Sequence, residues 1–319
     1  MYTKPISLTE FILAEEREFS RATGTLTLLL TRIQYAAKII ASHVRQAGLV
    51  DILGATNRKN VFSEEVQKLD DFSNRLFTEI VSTTGVVSHI ASEELAEPIS
   101  VTKDGSYDVL FDPLDGSANT DVNASVGTIF SIYKASPDLL QPGKEQVAAG
   151  YILYGSSTML VYSSGRGVNG FTFDPSIGSF LLSHPSMTIP TTGSLYSVNE
   201  ANYSRWDEKT QQFIDSLRNG EKQYKSRYIG CMVADVHRIL IKGGVFLYPA
   251  DKTSPEGKLR LMYEVNPLSF LVVNAGGRAV SNGQDPLEIA PTLIHQTVPV
   301  VLGSTEEVTR YHTTVHEKH

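Results

Sequence analysis

The chain has 319 residues, with 28 Lys and Arg against 35 Asp and Glu, a formal charge of −7, and it is 41% hydrophobic and 20% charged. That mixture suits a globular protein of about two domains and excludes a disordered tail, collagen or a coiled coil. The acidic balance argues against general binding of nucleic acid or anionic membrane, so an anionic ligand would need bound cations or a local basic pocket.

In chain order, Leu26, Leu29, Ile33, Ala37, Ile40 and Val44 recur every three or four residues, which predicts a helix that stops near Gly48. The polar stretch from Gly54 to Phe62 reads as a mobile loop. Ser63, followed by Glu64 and Glu65, predicts a helix start, with Val66, Leu69, Phe72, Leu76 and Ile80 as its apolar stripe. Strands are expected at Val86–Ala91, around Tyr107, Val109 and Phe111, and at Val126–Tyr133, Val147–Tyr154 and Thr158–Ser163. The glycine-rich run from Gly165 to Gly170 predicts a hairpin turn. The stretch His184–Gly193, with two prolines, is the expected boundary between halves at 1–187 and 188–319. Beyond it come a strand at Leu195–Val198, helices at Arg205–Arg218 and Val233–Lys242, and a strand at Val245–Tyr248. A helix follows from near Glu264 to Gly276-Gly277, with Pro267 in its first turn, then a strand at Val298–Leu302. Interleaved helices and strands make the class α/β or mixed α+β.

Cys231 is the single cysteine, which excludes an intrachain disulfide and a Cys-rich zinc site. No 18 apolar residues run together and Met1–Phe19 lacks a signal-peptide pattern, so a soluble, cytoplasmic protein is expected. His312, His316 and His319 at the tail have the wrong spacing for a zincin and read as a frayed polar terminus.

The chemistry begins at Phe111-Asp112-Pro113-Leu114-Asp115-Gly116-Ser117-Ala118-Asn119, directly after an apolar strand. A Pro/Gly turn there would bring Asp112 and Asp115 together. Two close carboxylates repel unless a cation lies between them, and Mg²⁺ suits hard oxygen ligands that arrive with phosphate. Gly116, Ser117 and Ala118 offer a small nest of N–H groups for a phosphate. Taken alone the element reads equally as an Asp-capped turn. Alone, Ser92-Glu93-Glu94 is better read as a solvated acidic loop, Glu264 as a charge on a helix dipole, and Asp70-Asp71 as exposed helix positions.

The ensemble decides between these readings. Gln67-Lys68-Leu69-Asp70, Ser92-Glu93-Glu94, Phe111–Asn119, Ser125–Phe130, Ser197–Glu200, Arg227–Gly230, Met232–Arg238 and Gly257–Pro267 together closely resemble the class I fructose-1,6-bisphosphatases over nearly the whole chain. The Asp-Pro-Leu-Asp-Gly element is shared with the wider lithium-sensitive phosphatases, including inositol monophosphatases, whereas the later stretches are more specific. The resemblance implies a layered α-β-α-β-α sandwich. It also implies hydrolysis of the 1-phosphate of fructose 1,6-bisphosphate, in gluconeogenesis or Calvin-type carbon metabolism. By motif match Glu93, Asp112, Asp115, Glu264 and the Leu114 carbonyl would hold two or three Mg²⁺ ions per subunit, with Mn²⁺ or Zn²⁺ as substitutes. Asp70 and Glu94 would orient and deprotonate the attacking water.

Asp115, Gly116, Ser117, Ala118, Asn199, Tyr228, Met232, Tyr248 and Lys258 match substrate contacts. Arg227 matches an arginine contributed across a subunit interface of a homotetramer. The family's tyrosine three residues past the matching asparagine is Asn202 here, followed by Tyr203. Thr23, Gly24, Leu26, Thr27, Tyr107 and Lys134 match parts of an AMP site, but Thr25 stands where animal enzymes carry an acid and Ser106 where they carry a lysine. Weak or altered AMP control is the expectation. The segment Gly48–Lys68 matches a mobile loop that would bring Asp70 into place. The alternatives are a phosphatase of sedoheptulose 1,7-bisphosphate or of both sugars, and a non-catalytic sugar-phosphate sensor. The complete acidic set speaks against the sensor.

Overall fold

The computed structural model describes residues 5–18, 23–49, 54–59 and 65–317. Within them, α1 (Leu8–Arg17) and α2 (Thr25–Arg45) precede a hairpin of β1 (Ala55–Lys59) and β2 (Glu65–Gln67), which runs into α3 (Lys68–Ser82). There follow β3 (Val87–Ser92), β4 (Ile99–Ser100), β5 (Tyr107–Asp115), β6 (Val126–Lys134), β7 (Gln146–Tyr154), β8 (Thr158–Ser163), β9 (Val168–Asp174) and β10 (Ser179–Met187). The second half contains β11 (Leu195–Ser197), α4 (Glu208–Asn219), β12 (Lys225–Ser226), α5 (Met232–Lys242), β13 (Val245–Tyr248), β14 (Leu259–Arg260) and α6 (Asn266–Asn274). It closes with β15 (Arg278–Val280), β16 (Thr297–Val298), β17 (Val300–Gly303) and α7 (Thr305–His316).

The described strands build an eight-stranded sheet, β10-β9-β8-β7-β6-β5-β3-β4, and a five-stranded sheet, β12-β11-β13-β17-β15. In the larger sheet only β3 and β5 run parallel. Helices α1 to α3 cover one face of it, burying Leu29, Ile33, Ala37, Ile40 and Phe77 against Val109, Phe111 and Phe130. Helices α5 and α6 lie between the two sheets, where Val233, Val236, Leu268 and Leu271 meet Ile129, Phe246 and Leu302. Helices α4 and α7 close the far side around Trp206, Phe213, Val308 and Tyr311. The expected five-layer α-β-α-β-α sandwich is what these residues form. Strand β5 is buried along its whole length because both its faces are covered, so Asp108, Asp112 and Asp115 are buried with its apolar residues.

Local signals explain most starts and stops. Helix α1, which periodicity did not single out, has a capping box in which Glu10 N–H donates to Ser7 Oγ at 3.2 Å and Ser7 N–H to Glu10 at 3.0 Å. Three expectations need correction. The expected helix start at Ser63 lies outside the described residues, and Glu65–Gln67 is strand; the helix begins at Lys68. Part of the stretch read as a loop, Ala55–Lys59, pairs with that strand, because the hairpin supplies hydrogen-bond partners that polar composition does not reveal. The tail histidines His312 and His316 belong to α7, which is anchored by buried Val308 and Tyr311 rather than frayed; His319 lies outside the described residues.

Helix α5 is seated on the large sheet at Gly127 of β6, where a Cβ would come within 2.7 Å of the Val233 side chain. We expect Gly127→Ala to force that contact apart and cost about 1–3 kcal/mol. This exceeds the roughly 0.4–1 kcal/mol that alanine gains by restricting the unfolded chain. A lower urea midpoint with unchanged slope is the expected result; an unchanged or higher midpoint would show that α5 does not sit there tightly.

Candidate active site

Side chains alternate along a strand, so residues three apart should face opposite ways. Asp112 and Asp115 escape this through a bulge. Asp112 pairs with Ile129 and Asp115 with Gly127, so three steps on β5 oppose two on β6. Pro113, which has no N–H to give the ladder, lies inside the bulge, and Thr128 Oγ1 donates to its carbonyl at 2.8 Å. Leu114, whose carbonyl was the expected fifth metal ligand, also lies there, and its N–H donates to Asp112 Oδ1 at 2.9 Å. Gly116 then takes a positive φ of 73° and starts the 3₁₀ turn Ser117–Val122. A Cβ on Gly116 would strike that of Cys231 at 2.7 Å. Ser117 and Ala118 thus open the first turn of a short helix beside the two aspartates, as a phosphate nest requires.

Glu264 arrives from the other half on the π-helical turn Leu261–Val265, and its Oε2 accepts the Arg260 N–H at 2.6 Å. Oxygens of Asp112, Asp115 and Glu264, all buried, lie within 4.8 Å of one another. Glu93 follows β3, its N–H donating to the Phe111 carbonyl at 3.1 Å. Its carboxylate meets the Arg260 guanidinium at 3.0 Å. Asp70, in the first turn of α3, is only 6% exposed. Burial raises its pKa well above the ordinary carboxylate range, and the Glu94 and Glu93 charges add to this while a Ser117 hydrogen bond opposes it. The reading of Asp70 as an exposed position is therefore corrected; the tertiary fold turns that face of α3 toward the other acids. Burial also raises Asp112, helped by Glu93, Asp115 and Glu264, and raises Glu264, helped by Glu93 and opposed by Arg260. Asp115 is raised by burial but held down by donors: Cys231 Sγ at 2.9 Å, Val233 N–H at 2.7 Å and Met232 N–H at 3.1 Å.

Beside this cluster lies a cavity of about 170 Å³ lined by Asp115, Tyr228, Met232, Asp235, Tyr248 and Leu259, among others. Burial and the neighbouring Tyr248 push the Tyr228 hydroxyl up to about 12, so it stays protonated and can donate. Asn199, Arg227 and Lys258 do not line this cavity. The Asn199 side chain caps the Glu200–Arg205 turn by accepting the Ala201 N–H, and the exposed Arg227 donates to the Ser226 carbonyl. Tyr203 bonds Asp215 at 2.7 Å and packs on Trp206, so it does not supply the contact displaced by Asn202. A second cavity, of about 560 Å³, brings together Thr23, Gly24, Leu26, Thr27, Tyr107 and Lys134, with Glu15, Glu16 and Ser106 also on its wall.

Sequence reasoning assigned no role to Arg260, Asp235 or Cys231. Arg260 stood inside a quoted motif, but only the fold shows it against Glu93. Asp235 accepts the Ile229 and Gly230 N–H groups and shapes the cavity loop. The pattern of donors fits cation binding. Four carboxylates, of Glu93, Asp112, Asp115 and Glu264, converge with one guanidinium and offer hard oxygen ligands.

Profiles described as fructose-1-6-bisphosphatase N-terminal domain and C-terminal domain match residues 6–185 and 189–316. A fructose-1,6-bisphosphatase class 1 of Sulfurihydrogenibium is 55% identical over 310 residues, covering 95% of each chain. Another, of Persephonella marina, is 53% identical over 97% of this chain and 98% of that protein. The holo crystal structure of Leishmania major fructose-1,6-bisphosphatase superposes with a TM-score of 0.94 at 40% identity, covering 99% of this chain and 100% of that one. The T-state structure of the same protein gives 0.90 at 39% identity, with 99% and 100% covered.

The carboxyls with raised values hold protons in the folded protein that the unfolded chain releases near its ordinary range of about 4. Between that range and the raised native values, rising pH therefore destabilises the metal-free fold. His237, pushed down to about 4 by burial, acts in the opposite sense below roughly 6.5, so a variant comparison is cleaner than one pH curve. In EDTA, Asp112→Asn should be more stable than wild type at pH 8, by about 1–4 kcal/mol. The gap should narrow toward pH 5 in urea titrations; a gap that is absent, or grows on acidification, contradicts the mutual repulsion.

Proposed function

The chain belongs to the fructose-1,6-bisphosphatase class 1 family, and from that membership and the site geometry we infer that it hydrolyses the 1-phosphate of fructose 1,6-bisphosphate to fructose 6-phosphate and inorganic phosphate. The single observation that carries the reading is the close set of Asp112, Asp115 and Glu264 beside the Gly116–Ala118 turn, on the rim of a sugar-sized cavity. The family is metal-dependent, and this buried oxygen set fits Mg²⁺, two or three ions per subunit, with Glu93 and the Leu114 carbonyl completing the ligands. When bound, Mg²⁺ supplies Lewis-acid charge for the phosphoryl group and the leaving oxygen. The protein's own groups do the rest. N–H groups at Ser117 and Ala118 hold the phosphoryl oxygens. Glu94 and Asp70 orient a water for in-line attack and take its proton; burial and neighbouring acids raise the Asp70 carboxyl above its ordinary range, which makes it a stronger base. Tyr228, Met232 and Tyr248 hold the sugar end, with Asn199 and Lys258 closing on it and Arg227 reaching the site of a neighbouring subunit.

The finer assignments follow the same logic. The functional division lies near residues 187 and 188, with the N-terminal half carrying most metal ligands and the C-terminal half most sugar contacts. Assembly is a homotetramer. The larger cavity takes AMP, its phosphate at the N-terminus of α2, where Gly24 leaves the first turn without a side-chain cap. Lys134, stacked on Tyr107 at 4.6 Å, supplies a cation there, whereas Ser106 supplies none. Among the described residues no helix is long and apolar enough to cross a membrane, and a cytoplasmic enzyme is the reading that fits.

Phosphate release tests the reaction. With Mg²⁺ the wild type should act best on fructose 1,6-bisphosphate, ahead of sedoheptulose 1,7-bisphosphate and inositol 1-phosphate, and EDTA should abolish turnover. Asp112→Asn should lose roughly a thousandfold in kcat. It is preferred to Asp115→Ala, which would also strand three donors at the start of α5. Release that survives EDTA, or an active Asp112→Asn, would sink the metal assignment. For AMP, Ser106→Lys should lower the half-inhibitory concentration by about tenfold or more, since a charge-assisted bond contributes roughly 1.5–3 kcal/mol. No change would place the nucleotide phosphate elsewhere.

A further inference from the structure

We propose that His295 is a positioning residue for the turn that carries Glu93 and Glu94; this rests on reading those two acids as metal ligand and water-orienting group. The turn is held at its start by the sheet, through Glu93 N–H to the Phe111 carbonyl at 3.1 Å, and closes with Leu95 N–H on the Ser92 carbonyl at 3.2 Å. Its far end is met from the other half of the chain. His295 Nε2 lies 2.9 Å from the Leu95 carbonyl, across 200 residues of sequence. A carbonyl only accepts, so Nε2 carries the proton and donates. Past Leu95 the chain runs out to exposed Ala96 and Glu97, so this bond grips the turn where it leaves the site.

The segment that bears His295 also builds the opposite wall. Leu261 N–H donates to the Gln296 carbonyl at 2.8 Å, and β14 pairs with β16 through Leu259–Val298 and Arg260–Thr297. That pairing presents Arg260 to Glu93 and begins the turn that presents Glu264. The His295 ring packs on Tyr263, the residue before Glu264, with centroids 5.3 Å apart. One side chain therefore sets the spacing between two acid-bearing turns from different halves. A hydrogen-bonded, half-buried ring is a stiffer spacer than a solvated loop, and positioning errors of about 1 Å can cost a hundredfold in rate.

Two variants separate the ring from the donor. His295→Phe keeps the packing on Tyr263 and loses the bond to Leu95; His295→Gln keeps an N–H at a similar reach and loses the ring. Steady-state kinetics at saturating Mg²⁺, Mg²⁺ activation curves and thermal unfolding are measured on full-length protein. His295→Phe should lose roughly tenfold to a hundredfold in kcat. It should need more Mg²⁺ for half activation, with KM for fructose 1,6-bisphosphate within about threefold of wild type, because Tyr228, Met232 and Tyr248 stand on other elements. His295→Gln should recover most of kcat. Wild-type kcat in both variants overturns the proposal, as does equal loss in both at unchanged melting temperature, which would deny the donor its role. Equal loss in step with lowered melting temperature makes His295 merely structural and also overturns it. An inactive wild type would instead refute the hydrolase reading itself, before either variant is compared.

Discussion

Repulsion among Glu93, Asp112, Asp115 and Glu264 is the constraint on which the rest of the site depends. Each is buried and has been given a separate compensating partner. Glu93 has the Arg260 guanidinium, Glu264 the Arg260 N–H, Asp112 the Leu114 N–H, and Asp115 the first turn of α5 with the Cys231 thiol. One guanidinium and a few dipoles do not balance this much negative charge at low dielectric. Asp70, Asp112, Asp115 and Glu264 all remain raised. The deficit is what makes this buried cluster a place for a metal cation in a protein that is acidic overall.

Compensation is shared between the halves. Asp115 stands on the large sheet, yet its donors belong to α5 in the layer between the sheets. Arg260 reaches back across the same boundary to Glu93. The smaller cavity lies against these bridges, with Asp115 and Met232 both on its wall. Metal affinity and docking of the halves are thus properties of one set of contacts, which is why Gly127, the ladder partner of Asp115, matters for how α5 is seated.

Features that live in local geometry were legible from the chain. The stripe of α2 recurs every three or four residues, and its Leu29, Ile33, Ala37 and Ile40 are buried while Leu26 and Val44, at the ends, are partly buried. The Asp-Pro-Leu-Asp-Gly element announces both aspartates, because the proline and glycine that shape the turn are in the same few residues. Features created by tertiary contact were not. Asp70 looks like any first-turn acid until α3 rotates it inward. The Asn199 Oδ1 caps the Glu200–Arg205 turn, a choice that composition does not encode. Helix α7 hides behind threonines and histidines, since of its buried residues Glu307, Val308 and Tyr311 just two are apolar. Arg260 sits in a stretch matched by resemblance, yet its role needs a partner over 160 residues away, and His295 has no motif at all.

The bridge between Glu93 and Arg260 also orders events in time. A chain made from its N-terminus exposes Glu93 and Asp115 while their partners on β14 and at the start of α5 have yet to be translated. At about 5–20 residues per second that interval is on the order of ten seconds or more. Hydrated carboxylates do not enter an apolar layer alone. The end of β5 therefore stays wet on the ribosome, with α1 to α3 and the large sheet gathered around a solvated edge, and water leaves it only when the later half arrives with its cation and its helix terminus. Catalytic competence is in this sense the last thing the nascent polypeptide acquires.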